Sequence, residues 1–318
     1  MAVLVFAVAV AAIVAPSSGV AKVRPPTVGT STATGTTYTF TRYSKPSRTA
    51  VTDSAGSWIA TFTDGARSVA LAGPARRFAE AAATYAVASS TWIRVLAKPF
   101  MGQVDVAWLN AARADSSPDV LATALQFASG APDLVGADGL LLATDASYGP
   151  LQADGTRQEG SDWNDFQGVT ATYGTVTDPA EPAQSRSLDC SGFMRMLWGR
   201  RFGVPLGLDP DGGATLPRRA VQQASSAPGI APIANAGRQV TDFSRLQPGD
   251  LVFFDASTDD GTSIDHVGMY LGTDEGGRRR FVSSRKSADG ATMGDLRGAS
   301  VLDGTGLYAK SFRSTRRL

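Results

Sequence analysis

A single cysteine, Cys190, and a single histidine, His266, stand in a chain of 318 residues. One cysteine cannot close an internal disulfide, so the fold has to be held by packing and hydrogen bonding. Hydrophobic residues at 43% against 19% charged are ample for that. One cysteine and one histidine also cannot build a zinc site from those residue types alone, and no metal or cofactor is expected. Chemistry that needs a soft nucleophile or a neutral-pH base must therefore pass through Cys190 and His266.

Charge excludes other function classes. Lys and Arg total 30 against 29 for Asp and Glu, a formal net charge of +1, which gives no argument for a nucleic-acid partner. The runs Arg278-Arg279-Arg280 and Arg313, Arg316, Arg317 read as solvated surface. Met1 to Ala15 is almost wholly apolar and leads into Gly19-Val20-Ala21, a small-residue cleavage pattern. It is too short to span a bilayer comfortably, so residues 1–21 read as a signal peptide or N-terminal anchor. No Lys or Arg precedes the run. A secreted, cell-wall-associated monomer with no stable membrane span after processing is expected.

The length exceeds one average domain. Residues 22–52, rich in Thr, Ser and Gly, read as a loose lead-in. Residues 53–150 read as a small α+β accessory region. In it, Ser57–Thr63 and Ala66–Leu71 flank Asp64-Gly65, a type I′ hairpin signal. The pattern predicts helices from Gly73-Pro74 to about Leu96 and over Val104–Ala114. A third is predicted from Ser117 as N-cap, with Pro118 in its first turn, to Gly130. From Tyr148 to Ser187 the chain turns polar, and its aromatics Trp163, Phe166 and Tyr173 weigh about three to one towards packing over ligand contact.

The chemistry concentrates in the C-terminal half. Asp189-Cys190-Ser191-Gly192 leads into the apolar run Phe193, Met194, Leu197 and Trp198, which suits a buried helix opening at Cys190. A helix start favours a thiolate and offers N–H groups to an oxyanion. Taken alone, a lone cysteine has about one chance in four of being catalytic. Further on, Leu251–Phe254 reads as a buried strand, Ile264–Gly272 as a second with His266 near its start, and Arg280–Ser284 as a third.

These segments resemble the NlpC/P60 family of papain-like cell-wall cysteine hydrolases. The resemblance rests on Asp189-Cys190-Ser191-Gly192-Phe193, Leu216-Pro217-Arg218-Arg219-Ala220-Val221-Gln222-Gln223, Gln247-Pro248-Gly249-Asp250-Leu251-Val252-Phe253-Phe254 and His266-Val267-Gly268-Met269-Tyr270-Leu271-Gly272. It implies an α+β, papain-like catalytic domain over 151–318, with the nucleophile helix packed on an antiparallel sheet. It also implies a Cys190–His266 dyad and substrate contacts at Asp189, Ser191 and Tyr173. Ser283 falls where family members usually carry His, Asn or Gln as a third catalytic residue. The implied substrate is the stem peptide of peptidoglycan, cut between D-glutamate and a diamino acid. Two alternatives stand beside it: an amidase at the sugar–peptide junction, and a wall-binding protein with little turnover.

Overall fold

The computed structural model describes residues 28–33 and 36–318. The signal-peptide or anchor reading of residues 1–21 lies outside the described residues. Six strands form an antiparallel meander: β1 (Val28–Ala33), β2 (Thr36–Ser44), β3 (Ser47–Thr52), β4 (Trp58–Thr63), β5 (Ser68–Phe78) and β6 (Val87–Val95). Residues 36–52 are therefore paired strand, and the loose lead-in is corrected there. β3 alternates, with Thr49 and Val51 buried on one face and Arg48, Ala50 and Thr52 half-buried on the other, and Tyr38 of β2 is buried as well.

The hairpin over 57–71 forms as expected, with Ala60 opposite Leu71 and Phe62 opposite Val69. The helix predicted over Gly73–Leu96 does not form. Arg76–Phe78 of β5 pairs with Val87–Ser89 of β6, and a register shift after Ala72 hides the period of two. The Ala-rich link between these strands has helical propensity but docks elsewhere. Glu80 accepts from Thr292 Oγ1 at 2.6 Å and from the Met293 N–H at 2.7 Å, while Asp295 Oδ2 accepts from the Thr84 N–H at 2.8 Å. These tertiary bonds outweigh propensity.

Helix α1 (Val106–Ala114) matches its pattern and covers one face of the meander, where Leu109 meets Phe62, Leu71 and Phe100. Helix α2 (Val120–Ala124) is capped by Asp119, not Ser117. Arg76 grips the Asp119 carboxylate with both terminal nitrogens at 2.6 Å, which fixes the cap two residues later. A 3₁₀ turn over Leu125–Phe127 ends the segment before Gly130.

Next come a short hairpin, β7 (Leu134–Val135) and β8 (Leu141–Ala143), then α3 (Trp163–Gln167) and a second hairpin, β9 (Ala171–Tyr173) and β10 (Val176–Asp178). Helix α4 (Cys190–Met194) runs on as a π-helical stretch over Arg195–Arg201. After α5 (Ala220–Ser226) the chain enters a second antiparallel sheet. Its strands are β11 (Leu251–Phe254), β12 (His266–Thr273), β13 (Arg279–Arg285), β14 (Gly290–Thr292) and, after α6 (Leu307–Ser311), β15 (Phe312–Arg316). The strand order is β14-β13-β12-β11-β15. This is an α+β fold with the Cys190 helix packed on an antiparallel sheet.

The two sheets share a core. Val69 and Leu71 face α1, whereas Ala70, Phe78, Val87 and Ile93 point into the cluster that holds Phe193, Leu197, Leu251 and Val267. The C-terminus fastens the join. Arg317, 3% exposed, forks onto the fully buried Asp250 at 2.8 and 2.9 Å and donates to Thr63 Oγ1 at 3.0 Å. The basic runs are corrected in the same way: Arg280 is buried against Asp274 and Asp295, and Arg313 pairs with Asp255. Breaking one side of a buried pair strands a charge. Arg317→Leu should lower stability by about 3–5 kcal/mol, and Asp250→Asn in that background should recover part of it. Urea unfolding monitored by circular dichroism checks both.

Candidate functional site

Asp189 builds the position of Cys190. As N-cap of α4 its carboxylate accepts the Gly192 N–H at 2.7 Å and also the Gly160 N–H at 3.1 Å. Arg218 forks across the same carboxylate at 3.1 and 2.7 Å. The Ser191 hydroxyl donates to Asp189 at 3.1 Å and accepts from Arg218 at 2.8 Å. Burial opposes the charge on Asp189, but Arg218 and the two N–H groups hold its carboxyl below the ordinary range. Gly192 lets α4 lie against the segment before α3, since a Cβ there would stand 2.1 Å from the Ser161 carbonyl.

A second layer supports the first. Arg195, fully buried, donates to Asp162 at 2.9 and 3.0 Å, to the Gly207 and Leu216 carbonyls, and to the Tyr173 hydroxyl at 2.5 Å. Asp162 in turn lies 3.7 Å from Arg218. Tyr173, whose hydroxyl also accepts from Trp163 Nε1 at 2.9 Å, belongs to this supporting layer and is not among the residues lining the cleft. Asp189 and Ser191 do line it, with their polar atoms already engaged by Arg218.

His266 opens β12 opposite Phe254. Its ring lies half-buried against Phe254 and Tyr308, with centroids 5.8 and 5.5 Å away. Nε2 meets Ser283 Oγ on β13 at 3.0 Å. Gly268 permits that approach, because a Cβ there would stand 3.0 Å from the Ser283 Cβ. The Cys190 Sγ lies 4.0 Å from the Asp265 carbonyl oxygen and receives the Val267 N–H, so the thiol touches the backbone on both sides of His266. The His266 ring on β12 thus meets Ser283 on β13, and the Cys190 thiol on α4 meets the backbone that flanks His266.

Electrostatics correct the expectation of a helix-stabilised thiolate. Burial, followed by the Asp189 charge, pushes the Cys190 thiol up to about 12, against a smaller opposing effect of the Val267 N–H. Burial, with Arg285 nearby, pushes His266 down to about 3. At rest the thiol and the imidazole are both neutral.

The thiol sits 6% exposed at the wall of a cleft of about 650 Å³. The sequence reading missed Tyr148, which is buried and lines this cleft near Cys190; burial first, and then a charge on Cys190, would oppose ionisation of its phenol. No local signal marks Tyr148. The fold places it, because Ser147 pairs with Ser187 and its carbonyl accepts the Leu188 N–H at 2.8 Å. Asp255, Asp260 and Asp265 at the cleft edge have carboxylate oxygens within 4.8 Å of one another. Arg313 already pairs with Asp255, and the Ala256 and Ser257 N–H groups already donate to Asp265.

A helix-borne thiol set against a strand that carries a histidine, on an antiparallel sheet, is the arrangement that thiol hydrolases use. Residues 172–303 match the NlpC/P60 family, a family of cell-wall peptidase type. A solved Staphylococcus aureus subsp. aureus Mu50 structure, described as similar to a lipoprotein of the NLP/P60 family, is 18% identical over 67% of the chain, with a TM-score of 0.28. The chain spans 47% of that protein's length. No curated protein matches the chain.

The neutral pair has consequences for pH. The His266 ring should show no NMR titration between about pH 5 and 8. Its folded pKa lies below its unfolded one, so the unfolded chain binds more protons, and stability should fall as pH drops from about 6.5 towards 3. Cys190 has the opposite sense. Its folded pKa is raised, so its contribution is full below about 9 and is lost as pH rises towards 12. At pH 7, iodoacetamide should label it more slowly than free cysteine.

Proposed function

We propose that the protein is an exported cysteine peptidase that hydrolyses amide bonds in peptidoglycan stem peptides, cutting between D-glutamate and a diamino acid. The chemistry resides in residues 151–318, and the preceding region is accessory. Residues 1–21 direct export. No helix of the described residues is long and apolar enough to cross a membrane.

One observation carries the reading: the Cys190 thiol lies against the backbone flanking His266, whose far nitrogen Ser283 holds, beside a cleft sized for a short peptide. Because both groups rest neutral, the thiol proton passes to His266 as sulfur attacks the carbonyl, not in a separate earlier step. Ser283 accepts the Nε2 proton, which leaves Nδ1 as the base. The Cys190 N–H, at the first helical position, faces the developing oxyanion. His266 then protonates the leaving amine, and water releases the thioester.

Ser283 is a weaker partner for imidazolium than a carboxylate, which favours slow turnover. The same fold with negligible turnover, serving only to bind the wall, is the second reading, and this feature is what supports it. Digestion of purified peptidoglycan followed by mass spectrometry separates the two. Wild type should release fragments with new D-glutamate C-termini, and Cys190→Ala should release none. Identical profiles would leave the binding reading, and fragments separated at the sugar–peptide junction would mark an amidase. Ser283→Ala should lower kcat by about tenfold or more with little change in KM. An unchanged rate would place the orienting role elsewhere.

A further inference from the structure

Five arginines are buried among the described residues, and four of them meet a carboxylate: Arg94 with Asp115, Arg195 with Asp162, Arg280 with Asp274 and Arg317 with Asp250. Arg285, 2% exposed, forms no ion pair among those residues. Its terminal nitrogens donate to the Gly298 carbonyl at 2.6 Å, the Gly294 carbonyl at 3.0 Å and Ser300 Oγ at 2.8 Å, and its Nε has no partner. These acceptors are neutral, so the hydrogen bonding is largely met while the charge is not offset. A cation withdrawn from water without a counter-ion destabilises a fold, but the position of this one gives it a use.

Arg285 stands two residues after Ser283 on β13, so the two side chains share a face of the strand. Ser283 holds His266 Nε2 at 3.0 Å. The Arg285 guanidinium carbon lies 5.1 Å from the centre of the Tyr308 ring, and that ring lies 5.5 Å from the His266 ring. The other neighbours of His266 offer the imidazole no free anion to match. β11 presents Phe254, and α6 presents the Tyr308 phenol, which burial keeps protonated. The start of α4 presents the protonated Cys190 thiol and the Asp189 carboxylate, whose effect on His266 is smaller than that of Arg285 and which Arg218 already grips. The Asp265 carboxylate, one residue before His266, is engaged by the Ala256 and Ser257 N–H groups.

We propose that Arg285 is a positioning residue that acts through His266: its uncompensated charge, set behind Tyr308 and beside Ser283, keeps the imidazole neutral in acid. The use of that neutral ring rests on the hydrolase reading above. A histidine in water is mostly protonated at about pH 5 and can no longer accept a proton. Here the ring stays able to take the Cys190 proton, so turnover persists in acid. The same charge opposes the imidazolium that forms during attack, so the gain in acid comes with slower turnover at neutral pH.

His266 is the chain's one histidine, so NMR of its ring in the full chain reports this site alone. Wild type should stay neutral down to about pH 4. Arg285→Met removes the charge and should raise the titration midpoint by about one pH unit or more. Arg285→Lys keeps the charge and should titrate as wild type does. Ser300→Asp sets a carboxylate where the Ser300 hydroxyl now meets Arg285, and it should raise the midpoint in the same direction. That variant leaves the guanidinium and its carbonyl partners in place, so it decides the matter if Arg285→Met fails to fold. A wild-type midpoint near the ordinary value of about 6.5 overturns the proposal. So does an unmoved midpoint in a folded neutralising variant, or a rise in Arg285→Lys equal to that in Arg285→Met, since a packing role alone would give these. None of these readings needs turnover, so failure of the hydrolase reading stays distinct from failure here. Where wild type does digest peptidoglycan, its activity should extend to lower pH than that of Arg285→Met.

Discussion

The Asp189 carboxylate is the interaction on which the site depends. It caps the helix that carries Cys190, anchors the Gly160 loop and grips Arg218. Through Arg218 it meets Asp162 and the fully buried Arg195, which ties α4 to β9 and to the Gly207 and Leu216 carbonyls. Remove this carboxylate and the half-buried Arg218 is left without its main partner, the more damaging outcome for a pair mostly withdrawn from water. The same charge has a chemical cost, since it stands beside the thiol and works with burial to keep it protonated. The architecture thus secures the position of Cys190 at the expense of its resting ionisation.

That arrangement accounts for the neutral pair. His266 sits among Phe254 and Tyr308, faces a hydroxyl instead of a carboxylate, and lies near Arg285, so nothing close to it stabilises imidazolium strongly. A cysteine enzyme built on a pre-formed ion pair would need the reverse. In the proposed hydrolysis, charge separation would fall on the transition state, where the oxyanion and the departing amine share it.

Much of the site was legible in the sequence. Cys190 at a helix start, His266 at a strand start and Ser283 on the next strand follow from the apolar period around them and the order of four short segments. The misreadings have physical causes. Gly73–Leu96 looked helical because its Ala-rich link hides a hairpin whose loop is pinned by Glu80 to Met293, a bond no local pattern reveals. Asp119 displaced Ser117 as a cap because Arg76 reaches it from a distant strand. Tyr148 depends on segments far apart in the chain, and the arginine runs that looked solvated are largely buried or paired.

The central claim, that Cys190 is acylated during turnover, is tested most directly by trapping the intermediate. Wild-type protein would be mixed with a stem tetrapeptide, quenched in acid and digested, and the peptide carrying Cys190 weighed. A mass increase equal to the acyl half of the substrate, located on Cys190 and absent from Cys190→Ala, is the predicted result. Product formation without any adduct on Cys190, or at an equal rate in Cys190→Ala, would contradict it.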